Sequence, residues 1–309
     1  MSAAVTSPPS AAAAAPRRAP DNAIRGRGFY AATRAAVGTG EIVVGLLVLV
    51  WTLLPIYHMV MLSFTPVSDA FAGRYWPDNP TAENYRIVLG QDHFFLQNFW
   101  IQLGNSLLVA LGTMALVLCV ASMATFAITR LRLRFGHWVS NAALFTYLIP
   151  AAFLAIPFYK VMGEYGLLNT RWALVFAMST FAIPYAIWVL RQYSASVPFE
   201  LDEAAKVDGA TPFQIFRMVY IPLLRPALIA IGTYALLLAW NEYLYAFLLL
   251  SSEKQHTLPV AMGYFLVTDD SPWPILMATA IIYALPPVAL YYSVRKYMVS
   301  GLTAGATKS

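Results

Sequence analysis

The sequence predicts an all-α membrane protein with six transmembrane helices. Composition is the first reason: of 309 residues, 59% are hydrophobic and only 11% charged, whereas a soluble domain carries about 25% charged residues to solvate its outside. The second is that the apolar residues gather into runs long enough to cross roughly 30 Å of hydrocarbon, which takes about 20 residues of helix. Runs this long and uniform do not suit a membrane barrel, whose strands alternate over about ten residues.

The first run, Ile42–Phe64, follows an Ala/Pro-rich basic stretch, residues 1–38. Such a composition cannot bury a core, so this stretch is expected to be disordered and cytoplasmic. The run is longer than the roughly 7–15-residue core of a secretory signal, so it reads as a retained helix. The second and third runs are Asn105–Ile128 and Trp138–Phe158. Pro150 and Pro157 interrupt the third, which a membrane helix tolerates when neighbours satisfy the freed carbonyls. Trp172–Leu190, Ala227–Leu250 and Ile275–Val294 complete the set. Residues 39–298 thus form the transmembrane domain, and 299–309 a cytoplasmic tail.

Basic residues orient the spans. Fifteen of the 20 Lys and Arg fall on the side of the N-terminus, the second and fourth loops and the C-terminus, and five on the other. Both termini are therefore expected in the cytoplasm, and the net charge of +5 reflects topology rather than nucleic-acid binding. The single cysteine, Cys119, allows no disulfide within the chain and reads as a packing residue inside an apolar run.

The fourth loop, 191–225, has structure of its own. Pro198 suits a first helical turn, and Glu200, Asp202 and Glu203 favour the positive end of a helix dipole. Gly209 stands where a left-handed residue would end that helix. Thr211-Pro212-Phe213-Gln214 is a second start signal: an N-cap, a first-turn proline and a glutamine three residues after the cap. Phe213, Phe216 and Tyr220 then share one apolar face, and Pro222 and Pro226 end the second helix before the next span. Periodicity alone leaves two readings open, a helix pair presented to a partner or one lying on the membrane surface.

Inside the fifth run stand Trp240, Asn241, Glu242 and Tyr243. A carboxylate within a membrane is costly and faces protein or a water-filled cavity. Asn241 and Glu242 are therefore candidates for a translocation path, or for a polar contact between helices. Trp240, Tyr243 and Tyr245 suit sugar stacking as well as an interfacial aromatic belt.

No bond chemistry is indicated. The chain has no Gly-x-x-x-x-Gly-Lys-Ser/Thr phosphate loop, no nucleophile–base set, and four dispersed histidines without metal-ligand spacing. An ion-coupled secondary transporter is the alternative class. It would show inverted repeats and several intramembrane charges, and Glu242 is the only clear intramembrane acid.

Glu203-Ala204-Ala205, Asp208-Gly209-Ala210 and Val219-Tyr220-Ile221-Pro222 resemble the EAA motif of permeases of ATP-binding-cassette (ABC) importers. Val219 and Ile221 stand where that family has isoleucine and leucine. Asn105-Ser106-Leu107, Trp240-Asn241-Glu242-Tyr243, Thr257-Leu258-Pro259-Val260 and the ending Gly301–Ala306 are similar to the maltose-type carbohydrate permeases of the same family. The resemblance implies a type I ABC importer permease fold in a bacterial cytoplasmic membrane, surrounded by lipid. It implies a second permease subunit, an ATPase dimer and an extracytoplasmic solute-binding protein as partners. ATP and Mg would be held by the ATPase and no cofactor by this chain. It also assigns coupling to Glu203, Ala204, Ala205, Asp208, Gly209, Ala210, Phe216 and Pro222.

Overall fold

A computed structural model describes residues 22–131, 133, 136–267 and 271–306. Two compact units divide the chain, Met1–Tyr57 and His58–Ser309. Helix α1 (Asn22–Ser63) runs the length of the described part of the first and ends in the second. Residues 22–38, expected to be disordered, form the start of this helix, and residues 1–21 lie outside the described ones. The reason is local: Ala23, Ala31, Ala32, Ala35 and Ala36 are strong helix formers, and extending an existing helix needs no new nucleus. From Ile42 to Leu54 its large apolar side chains are exposed, as befits a surface made for hydrocarbon rather than water.

The second unit holds α2 (Glu83–Gly90), α3 (Phe99–Thr129), α4 (Gly136–Phe145), α5 (Ala155–Glu164) and α6 (Arg171–Ser194). These are followed by α7 (Glu200–Val207), α8 (Pro212–Ile215) and α9 (Ile221–Leu223). The spans resume with α10 (Arg225–Trp240), then come α11 (Leu244–Leu249), α12 (Leu258–Tyr264) and α13 (Trp273–Ala306). The tail expected from 299 onward is continuous with α13 as far as Ala306, and 307–309 lie outside the described residues.

Four of the six apolar runs are continuous helices long enough to cross a membrane: Gly40–Ser63, Phe99–Thr129, Arg171–Ser194 and Trp273–Arg295. The other two are broken. In the third run, α4 passes through a turn at Thr146–Leu148 to Ile149, which is extended (φ −88°, ψ 116°) because the following Pro150 disfavours a helical residue before it. In the fifth run, α10 stops at Trp240 and the chain restarts at Leu244.

Lipid offers no hydrogen bonds, so a broken span must satisfy its own backbone. The fifth run does this with side chains. Asn241 donates its amide to the Leu237 carbonyl at 3.0 Å. The Glu242 carboxylate accepts the Tyr245 N–H at 2.8 Å, capping α11. Tyr283 donates its hydroxyl to the Trp240 carbonyl. The two breaks are joined directly, since the Tyr245 hydroxyl donates to the Ala151 carbonyl at 2.7 Å.

Helix α3 is the centre of the unit and packs against α6 and α10. The contacts use small buried residues: Ala110, Thr113 and Ala121 on α3, Ala173, Ala177, Ala182 and Ala186 on α6, Ala227, Ala235 and Ala239 on α10. Small side chains let backbones approach, which is how helices gain packing energy where no hydrophobic difference from lipid exists. Gly232 and Gly112 mark close approaches, as a Cβ at each would stand 3.2 Å from Leu118 Cδ1 and Val175 Cγ2 respectively.

Candidate functional site

The fourth loop folds as its sequence signals direct. Glu200, Asp202 and Glu203 occupy the first turn of α7 and Lys206 the last, each charge favourably placed on the helix dipole. Gly209 turns the chain with φ +82°, a left-handed conformation that costs a residue with a Cβ about 1–2 kcal/mol. Helix α8 then opens on a reciprocal cap. Thr211 Oγ1 accepts the Gln214 N–H at 3.3 Å, and Gln214 Oε1 accepts the Thr211 N–H at 2.7 Å.

Past Ile215 the helix widens into a π-helical turn, Phe216–Tyr220. Pro222 lacks an N–H and crowds the carbonyl four residues before it, which accounts for the widening. Leu224 leaves helical geometry (φ −84°, ψ 0°), and the chain bends 80° between Pro212–Leu223 and α10. The rings of Phe213, Phe216 and Tyr220 follow one another along one face, 6.5 and 6.2 Å apart, and burial grades along it: Tyr220 is fully buried, Phe216 half-buried and Phe213 68% exposed. Phe126 on α3 meets the rings of Phe216 and Tyr220 edge-on, at 5.2 and 5.1 Å.

One side chain from outside the loop holds it together. Arg130, the residue after α3, pairs with Asp202 of α7 at 3.2 Å, and the two side chains are only 3% and 6% exposed. The same guanidinium donates to the carbonyls of Ser194 at 3.4 Å and Val197 at 3.0 Å. Its carbon lies 4.5 Å from the centre of the Phe199 ring and 5.6 Å from that of Tyr220. Burial pushes the Tyr220 phenol above its usual range, so it stays neutral beside this cation. A cavity of about 210 Å³ adjoins the pair, lined by Arg130, Leu131, Phe199, Asp202, Glu203 and Lys206. In the sequence Arg130 is one more basic loop residue and Asp202 an acid at a helix start; their pairing is a contact across 72 positions, which no local pattern signals.

Of the residues expected to couple, Glu203, Ala204, Asp208, Gly209 and Pro222 are exposed, and Ala205, Ala210 and Phe216 are half-buried. The outer face of α7 and the turn after it are thus free to meet another surface, while Asp202 anchors the inner face.

The candidate path residues separate. Trp240 is 2% exposed and stacked on Tyr283 at 4.7 Å. The Glu242 carboxylate is engaged by backbone. Asn241 and Tyr243 remain exposed, with Tyr243 stacked on Phe247 at 5.8 Å.

At the other end of α3, two of the sequence motifs meet. Asn105 donates to the carbonyls of Lys254 at 2.8 Å and His256 at 2.9 Å. Ser106 Oγ accepts the Leu258 N–H at 2.9 Å. The Asn-Ser pair therefore pins the connection between α11 and α12 onto α3.

Apolar spans, two of them interrupted by side chains that satisfy the freed backbone, together with a rigidly held helix–turn–helix at one end, define a membrane-embedded permease. Residues 118–303 match the family described as binding-protein-dependent transport system inner membrane component. The chain belongs to this family. It is 32% identical over 265 residues to the inner membrane ABC transporter permease protein YcjP of Escherichia coli, covering 85% of this chain and 93% of that one. It is also 32% identical over 264 residues to the trehalose transport system permease protein SugB of Mycobacterium tuberculosis, covering 85% and 94%. Among solved structures, a bacterial ABC transporter involved in the import of the acidic polysaccharide alginate matches with a TM-score of 0.72 and 25% identity, over 86% of this chain and 97% of that one. The protein is thus a multi-pass inner-membrane permease component rather than an enzyme. Because the family is binding-protein-dependent, the ion-coupled alternative is set aside.

Proposed function

We propose that this chain is one of two permease subunits of an importer for a sugar or sugar-derived solute, driven by a separate ATPase dimer and fed by an extracytoplasmic binding protein. ATP and Mg are held by the ATPase, and both termini lie in the cytoplasm. Relatives named for trehalose, for trehalose/maltose and for diacetylchitobiose support the solute class. In this reading the loop 191–225 docks on an ATPase subunit through the outer face of α7 and the Gly209 turn. Asn241 and Tyr243 contribute polar and aromatic surface to the path.

The observation that carries the coupling assignment is the loop's construction, an exposed Glu203-Ala204 face and Gly209 turn backed by a buried Asp202–Arg130 anchor. A surface that moves under load needs a stiff backing. The test is Gly209→Val in the reconstituted complex. No neighbouring atom lies within 4 Å of a Cβ at Gly209, so the substitution strains the turn and disturbs no packing within this chain. The expected outcome is normal insertion and binding-protein docking, with loss of binding-protein-stimulated ATPase activity and of uptake. Full stimulated activity and uptake would show that this loop is not the coupling element.

A further inference from the structure

Helix α3 differs from every other predicted span. α1 contains Pro55, α6 Pro184 and α13 Pro286 and Pro287, and the third and fifth runs are broken. α3 has 31 residues, no proline and no break, which makes a rod about 46 Å long. That exceeds the roughly 30 Å of hydrocarbon it has to cross. Each end is fastened to a loop. Arg130, one residue past its C-terminus, holds Ser194, Val197, Phe199 and Asp202. Near its N-terminus, Asn105 and Ser106 hold Lys254, His256 and Leu258.

We propose that α3 is the connecting rod of the transport cycle, and that Arg130 is the positioning residue that fastens it to the coupling loop. The inference rests on the coupling role given above to loop 191–225. When the outer face of α7 is displaced, the buried guanidinium moves α3 as one body with α7. α3 then carries the displacement through the membrane to the connection between α11 and α12. The third and fifth runs are less suited to this link, because each lacks a continuous helical backbone across its interruption, at Ile149 and between Trp240 and Leu244.

The guanidinium is suited to the task in a way an ammonium is not. Its Nη2 donates to two carbonyls while Nη1 lies 3.2 Å from the Asp202 carboxylate and its carbon lies 4.5 Å from the centre of the Phe199 ring, directions that a planar guanidinium reaches at once. A lysine at the same place keeps the charge and loses the fixed geometry.

The test uses the complete transporter, with both permeases, the ATPase dimer and the binding protein. The variants are Arg130→Lys and the double change Arg130→Met with Asp202→Leu, which leaves no unpaired buried charge and so spares the fold. Insertion and ATPase co-purification are expected at wild-type level and basal ATPase unchanged, with solute imported per ATP hydrolysed falling below the wild-type ratio. A purely stabilising pair would leave that ratio at the wild-type value in the assembled double variant, and this result overturns the proposal.

A second measurement needs no change at the pair. Spin labels at Glu200→Cys on α7 and Met123→Cys on α3, in a Cys119→Ala background, report their separation with and without ATP. All three sites carry exposed side chains or, for Cys119, an exposed thiol. The rod requires a distance constant to within about 2 Å, the scale of small helix shifts at interfaces. A larger change means that α7 moves independently of α3, and the proposal fails. Failure of the coupling reading itself gives a different pattern, with Gly209→Val fully active, so the two outcomes are distinguishable.

Discussion

Replacing Asn105 tests whether hydrogen bonding, rather than apolar packing, holds the loop between α11 and α12. Asn105 is 2% exposed and donates to two carbonyls, at 2.8 and 2.9 Å. Asn105→Ala removes both donors. The Lys254 carbonyl belongs to an exposed residue and can turn to water, so its loss is the net value of one bond, about 1 kcal/mol. The His256 carbonyl belongs to a residue only 4% exposed, and stranding it costs about 1–3 kcal/mol. The expected local destabilisation is therefore about 2–4 kcal/mol. Amide hydrogen exchange across residues 250–260 measures it directly, because local opening sets the rate there. At tenfold per 1.4 kcal/mol, exchange should accelerate by about 30- to 700-fold. Asn105→Leu, of similar volume but without a donor, and Asn105→Asp, which keeps the acceptor for Arg171 Nη1 but sets oxygen against the two carbonyls, should both lose the loop bonds as alanine does. If leucine or aspartate exchanges at the wild-type rate, volume or charge and not the two bonds holds the loop, and the reasoning is wrong.

Thr211→Ala removes one half of the reciprocal cap on α8 and should destabilise the coupling hairpin by about 1 kcal/mol, seen as faster exchange at Phe213 and Gln214. His93 introduces a pH dependence. Its Nδ1 accepts the Phe95 N–H at 3.3 Å and its ring stacks on Phe265 at 4.9 Å, and burial holds its pKa below the ordinary imidazole value. A depressed folded pKa means that the contribution is fully present above about pH 6.5 and is lost as pH falls through the folded value. The thermal midpoint should accordingly drop on acidification, and less so in His93→Asn, which caps without titrating. Cysteines placed singly at Ser68 and Ser196 in a Cys119→Ala background should label from opposite sides of intact cells. Labelling from one side would contradict the topology.

What could be read ahead of the structure followed physical range. The loop 191–225 was legible because its signals are local: a proline, three acids, a glycine and a four-residue cap each act on neighbouring residues. Its anchor was not, because Arg130 and Asp202 meet only when α3 and α6 pack, and an arginine after an apolar run looks the same whether it faces solvent or a buried carboxylate. The break at Asn241 and Glu242 escaped for a different reason. Hydropathy summed along Ala227–Leu250 registers a polar pair as a small cost within one helix, whereas these side chains replace backbone bonds and so permit the helix to end. The stacking of Trp240 on Tyr283 was equally out of reach, since the two residues stand 43 positions apart. The Asn105-Ser106 and Thr257-Leu258 motifs were visible separately, and only the fold brings them into contact.

The central claim is that the exposed face of the 191–225 loop meets an ATPase subunit rather than lipid. Phe213 decides between these, being 68% exposed on α8. A photo-crosslinking amino acid at Phe213 and, separately, at Ala204, activated in membranes carrying the complete transporter, reports the neighbour of each position. The account predicts a covalent product with the ATPase subunit from both positions, changing in yield when ATP is added. Products with lipid alone, at both positions and in both nucleotide states, would contradict it.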